Sequence, residues 1–356
     1  MSTETLRYGV IGAGMMGCEH LRYLKELPGA EITAISDPHE QSRGFGKLTV
    51  GADVEIYEDH RELLERAPVD VVVIASPNHT HFDVLQDVFR TDKHVLVEKP
   101  LCTTVEDALA IVEGAQKHAG VFWVGMEYRY MRPVGRLVEE VHGGAVGDLH
   151  MIAIREHRYP FLPKVGDWNR FNRNTGGTLV EKCCHFFDLM NLVTRQRPVR
   201  VYASGAQSVN HKDERYDGET PDILDNAYVT VDFDGGARGL LDLCMFAENS
   251  RNEMELAATG HRGKIEAFVP ENRLVMTRRY RNEPTTIDFP SDRRLDALGG
   301  HHGSTFFQHL ALRDAIRTGA APAVSAENGA LAVAVGAAGE LSARERRVVE
   351  LSEFGL

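Results

Sequence analysis

The sequence predicts an α/β domain with a doubly wound parallel sheet, followed by an α+β domain whose sheet is mainly antiparallel. Three observations predict it. Short apolar runs alternate with helix-like segments over roughly the first 125 residues. The run VDVVVIA (69–75) is apolar almost throughout, as a central parallel strand covered on both faces must be. After residue 126 the strand-like runs lengthen and follow one another without regular crossover helices, the pattern of antiparallel pairing. A chain of 356 residues is also long for one core, so two domains are expected.

In the first domain, strands are expected at 8–11, 31–36, 55–57, 69–75, 93–97 and 121–125. Helices at 15–27, 39–47, 60–66, 80–91 and 105–119 separate them, and Pro28 and Gly29 stop the first. This is βαβαβ order. The second domain starts with a helix at 134–142. Strands are expected at 149–157, 199–207, 226–234, 237–247, 254–259 and 264–269, interrupted by a helix at 177–193. The stretch 208–225 is polar and turn-rich and reads as a surface loop. Helices at 305–317 and 325–345 finish the chain. The last is rich in Ala and Gly, so it should pack closely against a neighbour.

Composition narrows the function classes. Hydrophobic residues are 43% and charged residues 26%, ordinary for a soluble globular protein. A formal charge of −12 opposes binding to a phosphate backbone, so no nucleic-acid partner is expected. No apolar run approaches the roughly 18 residues of a membrane span. The N-terminus has no basic leader, which points to the cytoplasm. Five cysteines, an odd number, do not form a disulfide framework and fit a reducing compartment.

YGVIGAGMMGCEH carries Gly12, Gly14 and Gly17 in G-x-G-x-x-G spacing, after a strand and opening a helix. Gly12 allows the tight turn, Gly14 the approach of a pyrophosphate, and Gly17 close packing of helix on strand. Met15 and Met16 share this loop and helix start, whose amides favour an anion. Asp37, 20 residues beyond Gly17, is placed to accept from the adenosine ribose. Its charge favours NAD over NADP, although His39 and Arg43 nearby would tolerate a phosphate.

Ligands bind beyond the carboxyl ends of strands in such sheets. Ser76, Pro77 and Asn78 follow the central strand and should meet the nicotinamide half of the cofactor. Asn78 also suits a helix cap. His81 is either a neighbour of the cofactor or a structural histidine. HVLVEKPLCTT places Lys99 at the end of the next strand. Strand alternation points Glu98 away from it. Pro100 disfavours helical backbone at Lys99 and so aims it. The residues alone leave a catalytic lysine and an ordinary surface lysine both open.

G-x-G-x-x-G, then Ser-Pro-Asn-x-x-His, then Glu-Lys-Pro, then a Gly-Gly helix bearing histidine, resembles the Gfo/Idh/MocA oxidoreductase family along essentially the whole chain. The resemblance implies a Rossmann domain (1–125) and a C-terminal domain (126–356) with an open, mainly antiparallel sheet that serves as a homodimer or homotetramer interface. It implies NAD(P)-dependent redox chemistry on the CH–OH group of a sugar or cyclitol. Lys99 matches the lysine beside the nicotinamide and the reacting hydroxyl. Glu98 joins the cofactor residues in a structural role. In GGTLVEKCCHFFDLMNL, Glu181, His185 and Asp188 occupy the family's acidic, histidine and acidic positions. Offsets 0, +4 and +7 share one face of a helix, where a carboxylate can orient an imidazole. Aspartate is commoner at position 181, and Lys182 is a further departure that adds a charge.

His185 is thus the expected general base, Glu181 its orienter and Lys99 the holder of the hydroxyl oxygen. Adjacent Cys183, Cys184 and His185 diverge by about 100° each on a helix and lack zinc spacing, so no metal is expected. Candidates for substrate contact are Tyr128 and Arg129, with Glu127 and Tyr130 beside them, and Trp168, Arg170 and Asn172, with Asn169. Each also reads as a structural loop residue. His301 and His302 form a loop over the site or a solvated turn. Three other functions stay open: transient oxidation by tightly held NAD during elimination or glycoside cleavage, nucleotide sensing without catalysis, and reduction of a planar substrate.

Overall fold

The computed structural model describes residues 5–51, 53–281 and 283–356. They form two compact units. The first holds the chain up to Glu127 together with Lys164–Trp168 and Asp292–Ala330. Its strands are β1 (Leu6–Ile11), β2 (Ala30–Ser36), β3 (Glu55–Tyr57), β4 (Val71–Ile74), β5 (His94–Glu98) and β6 (Phe122–Gly125). They pair in parallel in the order β3-β2-β1-β4-β5-β6. Helices α1 (Met15–Glu26), α2 (Glu40–Val50), α3 (His60–Arg66), α4 (His81–Val88) and α5 (Val105–Lys117) are the crossovers. The expected strand 69–75 is trimmed to Val71–Ile74, all four residues wholly buried. The order reverses between β1 and β4, so the loops after these two strands share the crevice where an α/β sheet binds ligands.

The second unit holds Tyr128–Pro163, Asn169–Ser291 and Leu331–Leu356. Its elements are α6 (Arg132–His142), β7 (Leu149–His157), α7 (Asn172–Thr175), α8 (Thr178–Glu181), α9 (Cys184–Thr194), β8 (Pro198–Ala206), β9 (Asn226–Phe233), β10 (Arg238–Cys244), β11 (Met254–Gly260), β12 (Gly263–Val269), β13 (Arg273–Arg278) and β14 (Thr285–Asp288). The chain then returns to the first unit with α10 (Arg293–Asp296), α11 (Ser304–Thr318) and the start of α12 (Ala326–Glu345), and ends with β15 (Val349–Glu350) in the second. The nine strands order as β14-β13-β12-β11-β7-β10-β9-β8-β15. Every pairing is antiparallel except β7 with β10. One face buries Ile152, Ile154, Val229, Val231, Leu241 and Leu256 against the helices.

Two details differ from the sequence expectation. The helix expected at 177–193 is two helices, because Cys183 N reaches back five residues to Thr178 O at 3.3 Å. That wide turn separates Glu181, which ends α8, from His185, which sits in the first turn of α9. Strands β13 to β15 lie outside the expected set, because each is short and flanked by polar residues that carry no clear alternation. The neighbour expected for the Ala- and Gly-rich last helix is α8: a Cβ on Gly336 would meet Leu179 O at 2.6 Å. Among the described residues, no helix is long and apolar enough to cross a membrane.

Candidate active site

The loop after β1 is shaped by its glycines. Gly12 has φ +92°, and a Cβ there would lie 2.6 Å from the Ala75 carbonyl and Ser76 N. A Cβ on Gly17 would meet Gly12 O at 1.9 Å. At Gly14 a Cβ would find nothing within 4 Å. Two glycines thus close the turn, and the third leaves open space at the start of α1. Gly14 is the N-cap of α1, and no side chain caps that end, so its amides stay available to an anion. Met15 is 46% exposed and Met16 partly buried in the first turn. These residues fit the pyrophosphate of a dinucleotide.

Asp37, past the end of β2, is buried and uses both carboxylate oxygens on main-chain amides. Oδ2 accepts from Ala13 N and Oδ1 from His39 N, each at 2.8 Å. It therefore ties the glycine loop to its neighbour. Arg43 is committed to the Asp37 and Pro38 carbonyls and to Glu58 at 2.7 Å, so its charge is already answered. Beyond β4, Ser76 Oγ meets Thr80 Oγ1 at 2.7 Å. Asn78 starts a short 3-10 turn, and its Nδ2 is buried with no partner among the described residues. His81 is wholly buried, with ring nitrogens 2.9 Å from Pro100 O and 3.1 Å from Ser76 O. Burial pushes its pKa down. Its ring braces the loop after β4 against the segment after β5.

Lys99 is half-buried at the end of β5, and its peptide bond to Pro100 is cis. Glu98 is buried behind it. Glu98 Oε1 meets His20 Nε2 at 2.8 Å, and His20 Nδ1 meets His309 Nε2 at 2.8 Å. Burial pushes the Glu98 carboxyl up, but His20 and the charges of Lys99 and His301 prevail and lower its pKa. His309 is held well below the usual imidazole range by burial and by the charge on His20. Around the same residues, His301 Nδ1 meets Glu19 Oε1 at 2.7 Å and His301 Nε2 lies 3.7 Å from Glu127 Oε1. Glu127 is 1% exposed, and burial raises its carboxyl to about 7. Sequence reasoning passed over His20, His309 and Glu19. The available signal was polar residues inside otherwise apolar helix faces.

In the second unit, His185 is 2% exposed. Tyr128 stacks on it, with ring centroids 4.0 Å apart and planes 2° from parallel. Lys182 Nζ donates to the Tyr128 hydroxyl at 2.6 Å and meets Glu156 Oε1 at 2.9 Å. Glu181 is buried on the turn before. Asp188 receives a two-pronged bond from Arg129, at 2.6 and 2.5 Å, with both side chains almost wholly buried. Burial raises the Asp188 carboxyl despite that pairing. Cys183 and Cys184 are wholly buried, and burial pushes the Cys183 thiol well up. No group of three or more His, Cys, Asp or Glu among the described residues is arranged to hold a metal.

The other substrate candidates divide. Trp168, in the first unit, meets His79 edge-on at 6.1 Å. Arg170 is buried, with Nε on Glu214 at 3.0 Å. Asn172 donates from N and Nδ2 to Asp222, at 2.7 and 2.9 Å. These two hold down the 208–225 segment, which Asp225 also gathers by accepting from the amides of Ser208, Val209 and Asn210.

Two family models match the chain. Residues 6–126 match the family described as an oxidoreductase family with an NAD-binding Rossmann fold, and residues 138–351 match its C-terminal alpha/beta domain. A myo-inositol 2-dehydrogenase from Thermotoga maritima is 30% identical over 352 residues, 98% of this chain and 99% of the relative. The crystal structure of a probable dehydrogenase from Thermotoga maritima is 28% identical and has a TM-score of 0.79, covering 98% of this chain and 100% of that one. A scyllo-inositol dehydrogenase from Lactobacillus casei, crystallised with NAD(H) and scyllo-inositol, has a TM-score of 0.80 at 19% identity, covering 98% and 100%. At that identity the likeness is one of fold.

Proposed function

Because the chain belongs to the Gfo/Idh/MocA oxidoreductase family and carries its NAD-binding Rossmann domain, we propose that it is an NAD-dependent dehydrogenase of a secondary hydroxyl on a cyclitol or sugar. One observation carries this reading. The glycine loop leaves room for a pyrophosphate only at Gly14, in a chain 30% identical along its length to a myo-inositol 2-dehydrogenase.

Bound NAD supplies the hydride acceptor. Gly12, Gly14, Met15, Met16 and Gly17 hold its pyrophosphate, Asp37 its ribose, and Ser76, Pro77 and Asn78 its nicotinamide half. The free Asn78 Nδ2 supports that last assignment. His81 and Glu98 act from behind, by fixing the segments that carry Ser76 and Lys99. His185 takes the hydroxyl proton, Glu181 orients it, and Lys99 holds the hydroxyl oxygen as negative charge develops there. Arg129 serves His185 indirectly, by anchoring α9 through Asp188. Trp168 is the stacking candidate for the substrate. NADP is the less favoured cofactor, because Asp37 would repel a 2′-phosphate and Arg43 is occupied by Glu58. The chain works as a homodimer or homotetramer through the outer face of the second unit's sheet.

A panel of inositols and sugars, offered with NAD and with NADP and followed by the absorbance of reduced nicotinamide, tests the reading. NADH should accumulate with at least one cyclitol or sugar, and His185→Ala should lower kcat on it by about 10²–10⁴. Cofactor that is reduced and then reoxidised within one turnover would point instead to transient oxidation. Near-full activity in His185→Ala would remove His185 as the base.

A further inference from the structure

A chain of four buried side chains ends on the His185 imidazole. The Tyr128 and His185 rings stack nearly parallel, their planes 2° apart and their centroids 4.0 Å apart. A face-to-face neighbour at that distance blocks rotation of the imidazole out of its plane. The Tyr128 ring is in turn fixed at its far end, where its hydroxyl accepts from Lys182 Nζ at 2.6 Å. The same ammonium lies 4.9 Å from the Tyr128 ring centroid and 5.6 Å from that of Phe186. Glu156 Oε1 holds the ammonium at 2.9 Å, and Arg158 NH1 lies 3.5 Å from that oxygen. Glu156 is 1% and Lys182 5% exposed.

A buried ion pair is a poor stabiliser, since desolvation cancels much of its attraction, and apolar replacements of similar volume are often neutral or better. It does fix positions, because neither charge can leave its partner without a large cost. Here the pair locates a phenol, and the phenol locates the candidate base.

We propose that Glu156, Lys182 and Tyr128 are positioning residues for His185: the ion pair pins the Tyr128 hydroxyl, and the Tyr128 face holds the imidazole in one plane. The proposal rests on the reading of His185 as the base. It assigns a task to Lys182, and it makes Tyr128 a platform for the imidazole.

Kinetics on the polyol selected by the panel, together with NMR of the histidine ring protons in the full chain, test this. Tyr128→Leu should lower kcat about 10²-fold, the cost of a small misplacement, with both KM values within about threefold. Tyr128→Phe keeps the stack and loses the pin, and should cost about tenfold, or roughly 1.4 kcal/mol of barrier. Lys182→Met combined with Glu156→Gln removes both charges of the pair, leaves Arg158 with Glu253 at 3.6 Å, and should match Tyr128→Phe. Joining the two sets should cost no more than either, since they act through one link. The His185 ring protons should resonate upfield, under the Tyr128 ring current, and move downfield in Tyr128→Leu.

Unchanged kcat with raised KM in Tyr128→Leu would make Tyr128 a substrate contact and overturn the proposal, as would additive losses. Should Tyr128→Leu fail to fold, Tyr128→Phe and the Lys182→Met/Glu156→Gln pair decide by their non-additivity. Activity retained in His185→Ala would sink the base assignment alone, because the ring-current shift reports the platform without turnover.

Discussion

Two acidic residues of the first unit show how much a carboxylate's role depends on what surrounds it. Asp37 looks from its spacing like a ribose ligand, and it also anchors Ala13 and His39 through main-chain bonds. Its charge is the main barrier to a 2′-phosphate. Asp37→Ser keeps a hydrogen-bonding oxygen and removes that charge. It should raise the ratio of kcat/KM with NADP to that with NAD about tenfold or more, for about 1.4 kcal/mol of relieved repulsion. An unchanged ratio would mean that Asp37 serves the loop and not cofactor choice. Glu127 shows the opposite balance. Burial is the largest influence on it, and the net effect is a carboxyl raised to about 7 from an ordinary 4.5. Its unfolded form ionises near the ordinary value, so the folded state holds the extra proton between about 4.5 and 7. Stability should therefore fall as pH rises through that window. Glu127→Gln removes the fall, so its thermal stability relative to the parent should grow from pH 4.5 to pH 8 by on the order of 1–3 kcal/mol. Parallel melting curves for the two proteins across this range would refute it.

At the scale of elements, the loop from β1 into α1 has a glycine spacing that is legible in sequence, and the structure separates the tasks. Gly17 is closed by Gly12 O, whereas Gly14 faces open space. Gly14→Ala should leave the melting temperature of the cofactor-free protein within about 1 °C, since no atom is displaced and surface changes of this kind stay small. NAD affinity, measured by calorimetric titration, should fall at least tenfold, because the methyl occupies the space of the pyrophosphate. Full affinity would place the cofactor elsewhere. The histidine segment was less legible. Its apolar content predicts one helix over 177–193, and the wide turn from Thr178 O to Cys183 N divides it. Composition has no mark for such a turn, which is made where α12 presses on Leu179 and Lys182 reaches Glu156. Those contacts come from residues far away in the chain.

At the scale of the molecule, the second unit's sheet leaves one face outward, with Met151, Tyr202, Tyr228 and Leu240 between 39% and 62% exposed. Strand pairing brings Tyr228 opposite Ser204 and Asp242, and Tyr202 and Leu240 opposite Thr230, so these residues share that face. Four large exposed apolar side chains on one sheet face suit a second copy of the chain. Tyr228→Arg should shift the molar mass seen by light scattering from a multiple of the 39.6 kDa chain to the chain alone at micromolar concentration. A parent protein already monomeric there would end the assignment.

Within the first unit the sequence alone determined the strand order of travel, the glycine loop and the place of Lys99, because each is a local pattern: period, turn and strand end. In the second unit it determined the mainly antiparallel sheet and marked His185, Glu181 and Lys182 as residues of interest. Only the tertiary structure decided what stands behind them. His20 reaches Glu98 across 78 residues of sequence and His309 reaches His20 across 289, and Tyr128 stacks on His185 from 57 positions earlier. His301, which reads as a loop over the site or a solvated turn, is drawn onto Glu19. Arg170 and Asn172, which read equally as polyol contacts and as structural loop residues, bond to Glu214 and Asp222. The physical reason is the same throughout. A buried polar group must find a partner, and which partner is near is settled by packing between segments that the sequence keeps far apart.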